Sequence, residues 1–231
     1  ACQGYEVNYL TGYTQEMDVT TMRDSITPVI DQTLEMHIQT YDARVRSLDY
    51  VVYTLDGSSQ LSRESVDEPQ ETVSLTFDGG LLTEERLLLL TLHVDDQEVY
   101  YYTRIADGAE FSLPECLKYI SDYHVNAMGK VENVGVGAAL EPTGEEGTNF
   151  YHVTIHSDYD HVSWGSLQPQ VTGTERWKIT ESNPTYTSAI LEYQVQCAGE
   201  ENERDLYTVK EFFRVRNASG TMYLLDYDRT M

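Results

Sequence analysis

The chain has 231 residues, with 15 Lys and Arg against 39 Asp and Glu, which gives a formal net charge of −24 at pH 7. This acidity excludes binding to a nucleic-acid backbone, because such affinity comes largely from Lys and Arg that neutralise phosphates. Hydrophobic residues make up 40% of the chain, enough for a folded core and too many for a disordered acidic tail. We therefore expect a soluble globular protein, and the length favours two domains.

The first 32 residues show no regular hydrophobic pattern, and we predict an irregular arm over 1–32 with one short strand. Cys2 lies near its start and resembles the lipidated cysteine that signal cleavage leaves in bacterial lipoproteins. That resemblance implies an anchor at Cys2; the alternative is an incidental terminal residue. No stretch approaches the roughly 20 apolar residues of a transmembrane helix, so we expect no transmembrane segment.

Alternating apolar and polar residues follow the arm, and this period of two is typical of β-strands. Asp56-Gly57 separates two apolar runs, which is a strong hairpin signal because both residues tolerate a positive φ. The predicted strands of this first region cover 34–39, 45–55, 71–77, 86–94 and 98–105.

The segments "VRSLDYVVYTLDG" and "LLLLTLHVDDQEVYYYTRI" resemble the strands and turns of immunoglobulin-like or fibronectin type III-like modules. The resemblance implies an immunoglobulin-like β-sandwich over 33–108 that binds a partner or serves as a spacer. The Cys–Trp–Cys signature of true immunoglobulin domains is missing from this region.

A helix is predicted over 112–128, where apolar residues recur at helical spacing. Ser112 and Glu115 have the spacing of a capping box, and Pro114 suits the first turn. Gly129 is expected to end the helix.

The rest of the chain predicts a glycine-rich loop over 129–148, with a short strand at 133–138, and then an antiparallel meander. One helix before long consecutive strands is an α+β arrangement. Its element order is similar to the cystatin-like or nuclear-transport-factor-like cone, which implies a helix packed on a curved antiparallel sheet over 109–231. The whole fold class is therefore mainly β with one clear helix. The predicted strands of this second region cover 149–157, 161–167, 174–182, 187–198, 206–216 and 221–229.

His156 and His161 flank a short polar stretch that we predict to be the turn of a hairpin. Residues opposite each other in a hairpin have Cβ atoms about 5 Å apart, so the two imidazoles would face each other. Asp158 or Asp160 would then complete a divalent-metal site. The alternative is a solvated turn in which the Asp side chains bond to the backbone.

Two carboxylates break the apolar faces of predicted strands. Glu211 shares a face with Tyr207, and Glu181 ends the apolar face that begins with Trp177. Desolvation raises the pKa of a carboxyl on an apolar face, which suits general acid–base catalysis in a ligand pocket. The alternatives are a bulge that breaks the parity, or an ion pair of Glu211 with Arg176, Arg214 or Arg229.

Aromatic residues form a further candidate site. Tyr100 and Tyr102 share one face of a predicted strand, and Trp164 follows the predicted hairpin. Exposed aromatic rows stack on sugars or anchor a protein partner, which is typical of a carbohydrate-binding module. The alternative is that these rings cover the edges of the two cores.

The chain has no Gly-rich phosphate loop, serine nucleophile elbow or zinc-protease motif. As a whole it resembles extracytoplasmic regions of Gram-positive bacterial surface proteins, which implies a place at the cell surface. We expect a non-enzymatic binding or sensing module for a protein or cell-envelope ligand, without a cofactor. The alternatives are a small acid–base or metal-dependent enzyme in the second domain, and a carbohydrate-binding module.

Overall fold

A computed structural model describes residues 5–131, 134–144, 149–198 and 204–231 of the protein. The chain divides into two compact units, Ala1–Phe111 and Ser112–Met231. Most regular structure in the described residues is β, and one long helix stands at the start of the second unit. The predicted fold class, mainly β with one clear helix, is therefore confirmed.

The first unit contains seven described strands. Five of them overlap the strands predicted over 34–105, whereas the strand at Gln60–Asp67 lies outside every predicted range. The hairpin predicted at Asp56-Gly57 is confirmed: Gly57 has φ +71°, and the Asp56 carboxylate accepts a hydrogen bond from the Thr54 hydroxyl at 2.6 Å. The strands are β1 (Ile26–Val29), β2 (Thr33–His37), β3 (Val45–Tyr53), β4 (Gln60–Asp67), β5 (Thr72–Thr76), β6 (Arg86–Val94) and β7 (Gln97–Asp107).

Two sheets pack face to face in the first unit. One has the order β1-β7-β6-β3-β4, and the other contains β2 and β5. Every second residue of a strand points to the same side, so Leu75 of β5 and Leu88 of β6 enter one core, and both are 0% exposed. Burial of these apolar side chains drives the packing of the two layers.

The described part of the N-terminal arm covers the other face of the larger sheet. The main chain of Tyr13 pairs with that of Tyr100, with N···O distances of 2.9 and 2.8 Å. The Met17 amide donates a hydrogen bond to the Tyr102 hydroxyl at 2.7 Å. The arm therefore becomes a third layer over part of this face.

The second unit places helix α1 on the inner face of an antiparallel sheet. Strand order is β8-β12-β11-β10-β9, and Ile120 and Tyr123 of α1 pack against Phe213 of β11. Register shifts interrupt the ladders beside β10 and β11, and such bulges bend strands. The elements are α1 (Leu113–Met128), α2 (Val134–Ala138), β8 (His152–Thr154), α3 (Tyr159–Val162), β9 (Gln170–Ser182), β10 (Thr187–Ala198), β11 (Arg204–Ala218) and β12 (Thr221–Thr230).

Helix α1 confirms the predicted helix, but the predicted capping box is wrong. The Ser112 side chain makes no capping hydrogen bond, because its ψ of 41° leaves the extended conformation that a capping side chain needs. The strand predicted at 133–138 is also wrong, since α2 occupies 134–138. Among the described side chains of α2 only Val136 is buried, and one helical turn is enough to place it in the core.

The strand predicted over 161–167 is wrong as well. The Asp158 carboxylate accepts a hydrogen bond from the His161 amide at 2.9 Å and caps the start of α3. Trp164 and Gly165 then take left-handed conformations, with φ of +70° and +46°, and turn the chain. This local capping outweighs the apolar alternation of the sequence.

We expect Leu88→Ala to lower the free energy of unfolding of the first unit by about 2–5 kcal/mol, because truncation leaves a cavity in a fully buried site. Leu61 of the edge strand β4 is 39% exposed, so the matched variant Leu61→Ala should cost less than about 1 kcal/mol. Urea unfolding followed by circular dichroism measures both. Equal losses would contradict the place of Leu88 in the core.

Candidate functional site

Glu211 lies on the inner face of β11, as its strand parity predicts, and is 0% exposed. His124 Nδ1 of α1 is 2.5 Å from one carboxylate oxygen of Glu211. The Tyr227 hydroxyl of β12 donates a hydrogen bond to the other oxygen at 2.8 Å. One helix and two strands therefore meet at a single carboxylate.

The second nitrogen of the His124 ring faces another carboxylate. His124 Nε2 lies 3.4 Å from a carboxylate oxygen of Glu175 in β9, and the Glu175 side chain is 37% exposed. The Tyr193 ring packs edge-on against the imidazole, with 4.9 Å between centroids. His124 is thus enclosed, with 3% of its surface exposed, and Glu175 connects it to the surface.

Arg229 supplies a second buried positive charge. It is the cross-strand neighbour of Glu211 and is 0% exposed. Its guanidinium donates to the carbonyls of Val162 at 2.8 Å and His161 at 2.9 Å, at the end of α3, and lies 3.9 Å from the centroid of the Trp164 ring. We call the following five residues the buried charge network: His124, Glu175, Glu211, Tyr227 and Arg229.

Contacts within the network determine the protonation states of His124 and Glu211. Burial lowers the pKa of His124, but the nearby carboxylates of Glu211 and Glu175 outweigh burial and raise it to about 9. Burial raises the pKa of Glu211, but His124 and Arg229 outweigh burial and hold it below its usual value. The raised pKa expected for Glu211 is therefore wrong, and a carboxylate faces an imidazolium at neutral pH.

Glu181 does not join this network. A register shift at Ser188/Ala189 turns Glu181 to the other face of the sheet. There its carboxylate accepts hydrogen bonds from Arg214 at 2.8 Å and from the Ser188 hydroxyl at 3.3 Å. The prediction that Glu181 lies on the same apolar face as Trp177 is therefore wrong, because a bulge breaks the alternation of β9.

Trp177 and Tyr207 both lie on the inner face but at different places along it. Trp177 is half-buried and shares a cross-strand row with Leu191 and Glu211. Tyr207 precedes Glu211 by four residues, which is about 13 Å along a strand. The Tyr207 hydroxyl contacts Asp205 at 3.4 Å, so this ring stands near the strand end and not beside Glu211.

The metal site predicted at His156 and His161 lacks its hairpin, because α3 begins directly after Asp158. His161 Nδ1 lies 2.8 Å from Asp158, and His156 Nδ1 lies 3.1 Å from the Glu141 carbonyl. Asp160 belongs to the first turn of α3. Among the residues that the structure describes, no three His, Cys, Asp or Glu side chains are placed to hold a metal ion.

Two of the three aromatic candidates are buried. Trp164 is 0% exposed beneath Arg229, and Tyr102 is 6% exposed beneath the N-terminal arm. The expected exposed row is therefore wrong for these two rings. Tyr100 is half-buried and lines an open cleft on the first unit.

That cleft has a volume of about 690 Å³ and lies where the N-terminal arm meets the β6–β7 turn. It stands on the sheet face opposite the core of the first unit, because His93, Glu98 and Tyr100 alternate with core residues along β6 and β7. The cleft is lined by Thr14, Arg46, His93, Asp96, Gln97, Glu98 and Tyr100.

The described cysteines, Cys116 and Cys197, are free and buried. Burial raises the pKa of both thiols, so neither has the thiolate character of a reactive cysteine. Cys2, the expected anchor, lies outside the described residues.

No protein-family model, curated protein or solved structure matches this chain. None of the helices in the described residues has the length and apolar character needed to cross a membrane.

We expect the second unit to lose stability as pH rises from 6.5 to 9. The pKa of His124 in the folded state, about 9, exceeds the unfolded value of 6.5. Its charged form therefore stabilises fully below pH 6.5, and this contribution, on the order of 3 kcal/mol, disappears as pH passes the folded value. Urea unfolding at pH 6 to 9.5 measures it.

The His124→Gln variant is the control for this pH dependence. Burial raises the pKa of the Cys116 and Cys197 thiols, and these groups also destabilise the fold at alkaline pH. The difference between wild type and His124→Gln removes their effect. A difference that stays constant from pH 6 to 9.5 would contradict a charged His124.

We expect Glu211→Gln to lower the free energy of unfolding by about 3–5 kcal/mol at pH 7, because His124 and Arg229 would lose their buried counter-charge. The matched control is Asp228→Asn, which breaks the exposed Asp228–His152 pair of 2.6 Å. That variant should cost less than about 1 kcal/mol. Urea unfolding gives both values, and a small loss in Glu211→Gln would show that Glu211 balances no buried charge.

Proposed function

We propose that this chain is a non-enzymatic binding or sensing module that acts outside the cytoplasm at the cell envelope, and that its ligand binds the cleft on the first unit. The acidic composition and the 18 tyrosines are typical of exported bacterial proteins and support this place in the cell. The ligand is a cell-envelope component.

The observation that carries the proposal is the complete burial of Glu211. A general acid or base must come within hydrogen-bonding distance of the proton that it transfers. Glu211 is 0% exposed and His124 is 3% exposed, and each already contacts partners within the core. The pair that most resembles acid–base machinery therefore serves to join α1 to the sheet.

The side chains of the cleft on the first unit, unlike Glu211 and His124, are largely exposed. Ligand sites are concave and carry a few polar groups that fix the orientation of the ligand. Asp96, Gln97 and Glu98 are exposed at the cleft, and Arg46 is 56% exposed. These side chains reach solvent and are able to contact a ligand, whereas Glu211 and His124 are buried.

Binding to isolated Gram-positive cell-wall sacculi tests this proposal. We expect the purified chain to sediment with the sacculi in a saturable manner. The double variant Arg46→Met/Tyr100→Ala should bind at least tenfold more weakly, because it removes a charge and a ring from the cleft. Arg44→Met is the matched control, since Arg44 pairs with Glu68 and does not line the cleft.

Two outcomes would contradict the proposal. One is the absence of saturable binding by the wild-type chain. The other is hydrolysis of the wall material that His124→Gln abolishes and the double cleft variant retains, measured where circular dichroism shows both variants folded. That second outcome would assign catalysis to the buried charge network.

A further inference from the structure

The cleft on the first unit has walls from three parts of the chain. The pairing of Tyr13 with Tyr100 fixes one wall and places Thr14 at its rim. The β6–β7 turn supplies Asp96, and the start of β3 supplies Arg46. Main-chain hydrogen bonds anchor the backbone of each wall: Tyr13 pairs with Tyr100, the Asp95 amide donates to the Arg44 carbonyl, and the Glu68 amide donates to the Arg46 carbonyl.

Arg46 brings a positive charge into a strongly acidic unit. Residues 1–111 contain 6 Lys and Arg against 21 Asp and Glu, a net charge of −15. The closest contact of Arg46 with Asp96 is 3.8 Å, beyond hydrogen-bonding distance. Arg104, by contrast, reaches Glu85 at 2.9 Å. The Arg46 guanidinium therefore keeps its planar set of donors for a carboxylate.

The opposite wall of the cleft carries the Glu98 carboxylate, which has two side-chain partners. The Tyr100 hydroxyl donates a hydrogen bond to Glu98 at 2.5 Å, and His93 Nδ1 lies 3.4 Å from the same carboxylate. His93 Nε2 is 3.1 Å from Asp49, which holds the imidazole in place. The Glu98 bond raises the pKa of Tyr100 to about 12, so the phenol stays protonated and keeps orienting the carboxylate.

The geometry points to a ligand that carries an ammonium and a carboxylate group together, as an α-amino acid or a short peptide with free ends does. The ammonium binds Glu98 and Asp96, and the carboxylate binds Arg46. This inference rests on the proposed function only in that the cleft is the binding site.

Ligands of a single charge fit the cleft less well. The field of a unit with net charge −15 repels a simple anion. A simple cation would gain from Glu98 and Asp96 but would meet the charge of Arg46. A zwitterion satisfies both walls, and each contact is a hydrogen bond between charged groups, which is the stronger kind.

An NMR chemical-shift titration of the intact chain with alanyl-alanine tests the inference. We expect saturable shifts in β6 and β7 and in the Arg46 side chain, with a Kd on the order of 1 mM or tighter for a ligand of this size. N-acetyl-alanyl-alanine lacks the ammonium and alanyl-alanine amide lacks the carboxylate. Each blocked form should bind at least tenfold more weakly.

Two cleft variants separate the two contacts. In Arg46→Met, alanyl-alanine and its amide should bind equally, because the partner of the carboxylate is gone. In Asp96→Asn/Glu98→Gln, alanyl-alanine and its N-acetyl form should bind equally. Arg44→Met should bind like the wild type. The affinities for alanine and alanyl-alanine are also compared. Tighter binding of alanine indicates that the ligand is a free amino acid, and tighter binding of alanyl-alanine indicates that it is the end of a peptide.

The outcomes distinguish the inference from the proposed function. The inference is overturned, even where the chain binds sacculi, if neither alanine nor alanyl-alanine causes a saturable shift. It is also overturned if the blocked forms bind as tightly as alanyl-alanine. Binding of alanyl-alanine without binding to sacculi supports the inference and overturns the envelope function. If Arg46→Met still binds alanyl-alanine more tightly than alanyl-alanine amide, Arg46 is not the partner of the ligand carboxylate.

Discussion

The second unit depends on the contact between the His124 imidazole and the buried Glu211 carboxylate, 2.5 Å apart. Helix α1 contributes one partner and β11 the other, so the contact fixes how the helix lies on the sheet. An isolated charge of either sign in such a core costs several kcal/mol. The rest of the polar core follows from this constraint, because Tyr227 satisfies the second oxygen and Glu175 faces the second nitrogen.

Arg229 also positions the segment that follows α3. Its guanidinium binds the last carbonyls of α3 and lies on the Trp164 ring, while its charge lowers the pKa of Glu211. Trp164 is held with φ +70°, a left-handed conformation that is costly for a bulky residue and persists only where the surroundings impose it. These contacts stabilise the loop that follows α3 against the sheet.

Local sequence signals predicted much of the architecture. The period-two pattern located β3 (Val45–Tyr53) and β10 (Thr187–Ala198), a continuous apolar run located β6 (Arg86–Val94), and the apolar stripe located α1 (Leu113–Met128). These elements are predictable because the spacing of apolar residues along the chain shows which side chains share a face. The prediction failed at α3 (Tyr159–Val162), where an Asp cap and a left-handed turn outweighed the alternation.

The sequence by itself determined the acidity, the two-part β-rich fold and the position of Glu211 on an inward face. It also places His124 on the apolar stripe of α1, and a histidine there indicates a buried acidic partner such as Glu211. Only the tertiary structure decided that His124 and Arg229 neutralise Glu211, and that a bulge turns Glu181 away. These contacts join residues that are far apart in the chain, up to 87 positions for His124 and Glu211. Strand register and bulges determine which residues become neighbours, and both are set only when the whole unit packs.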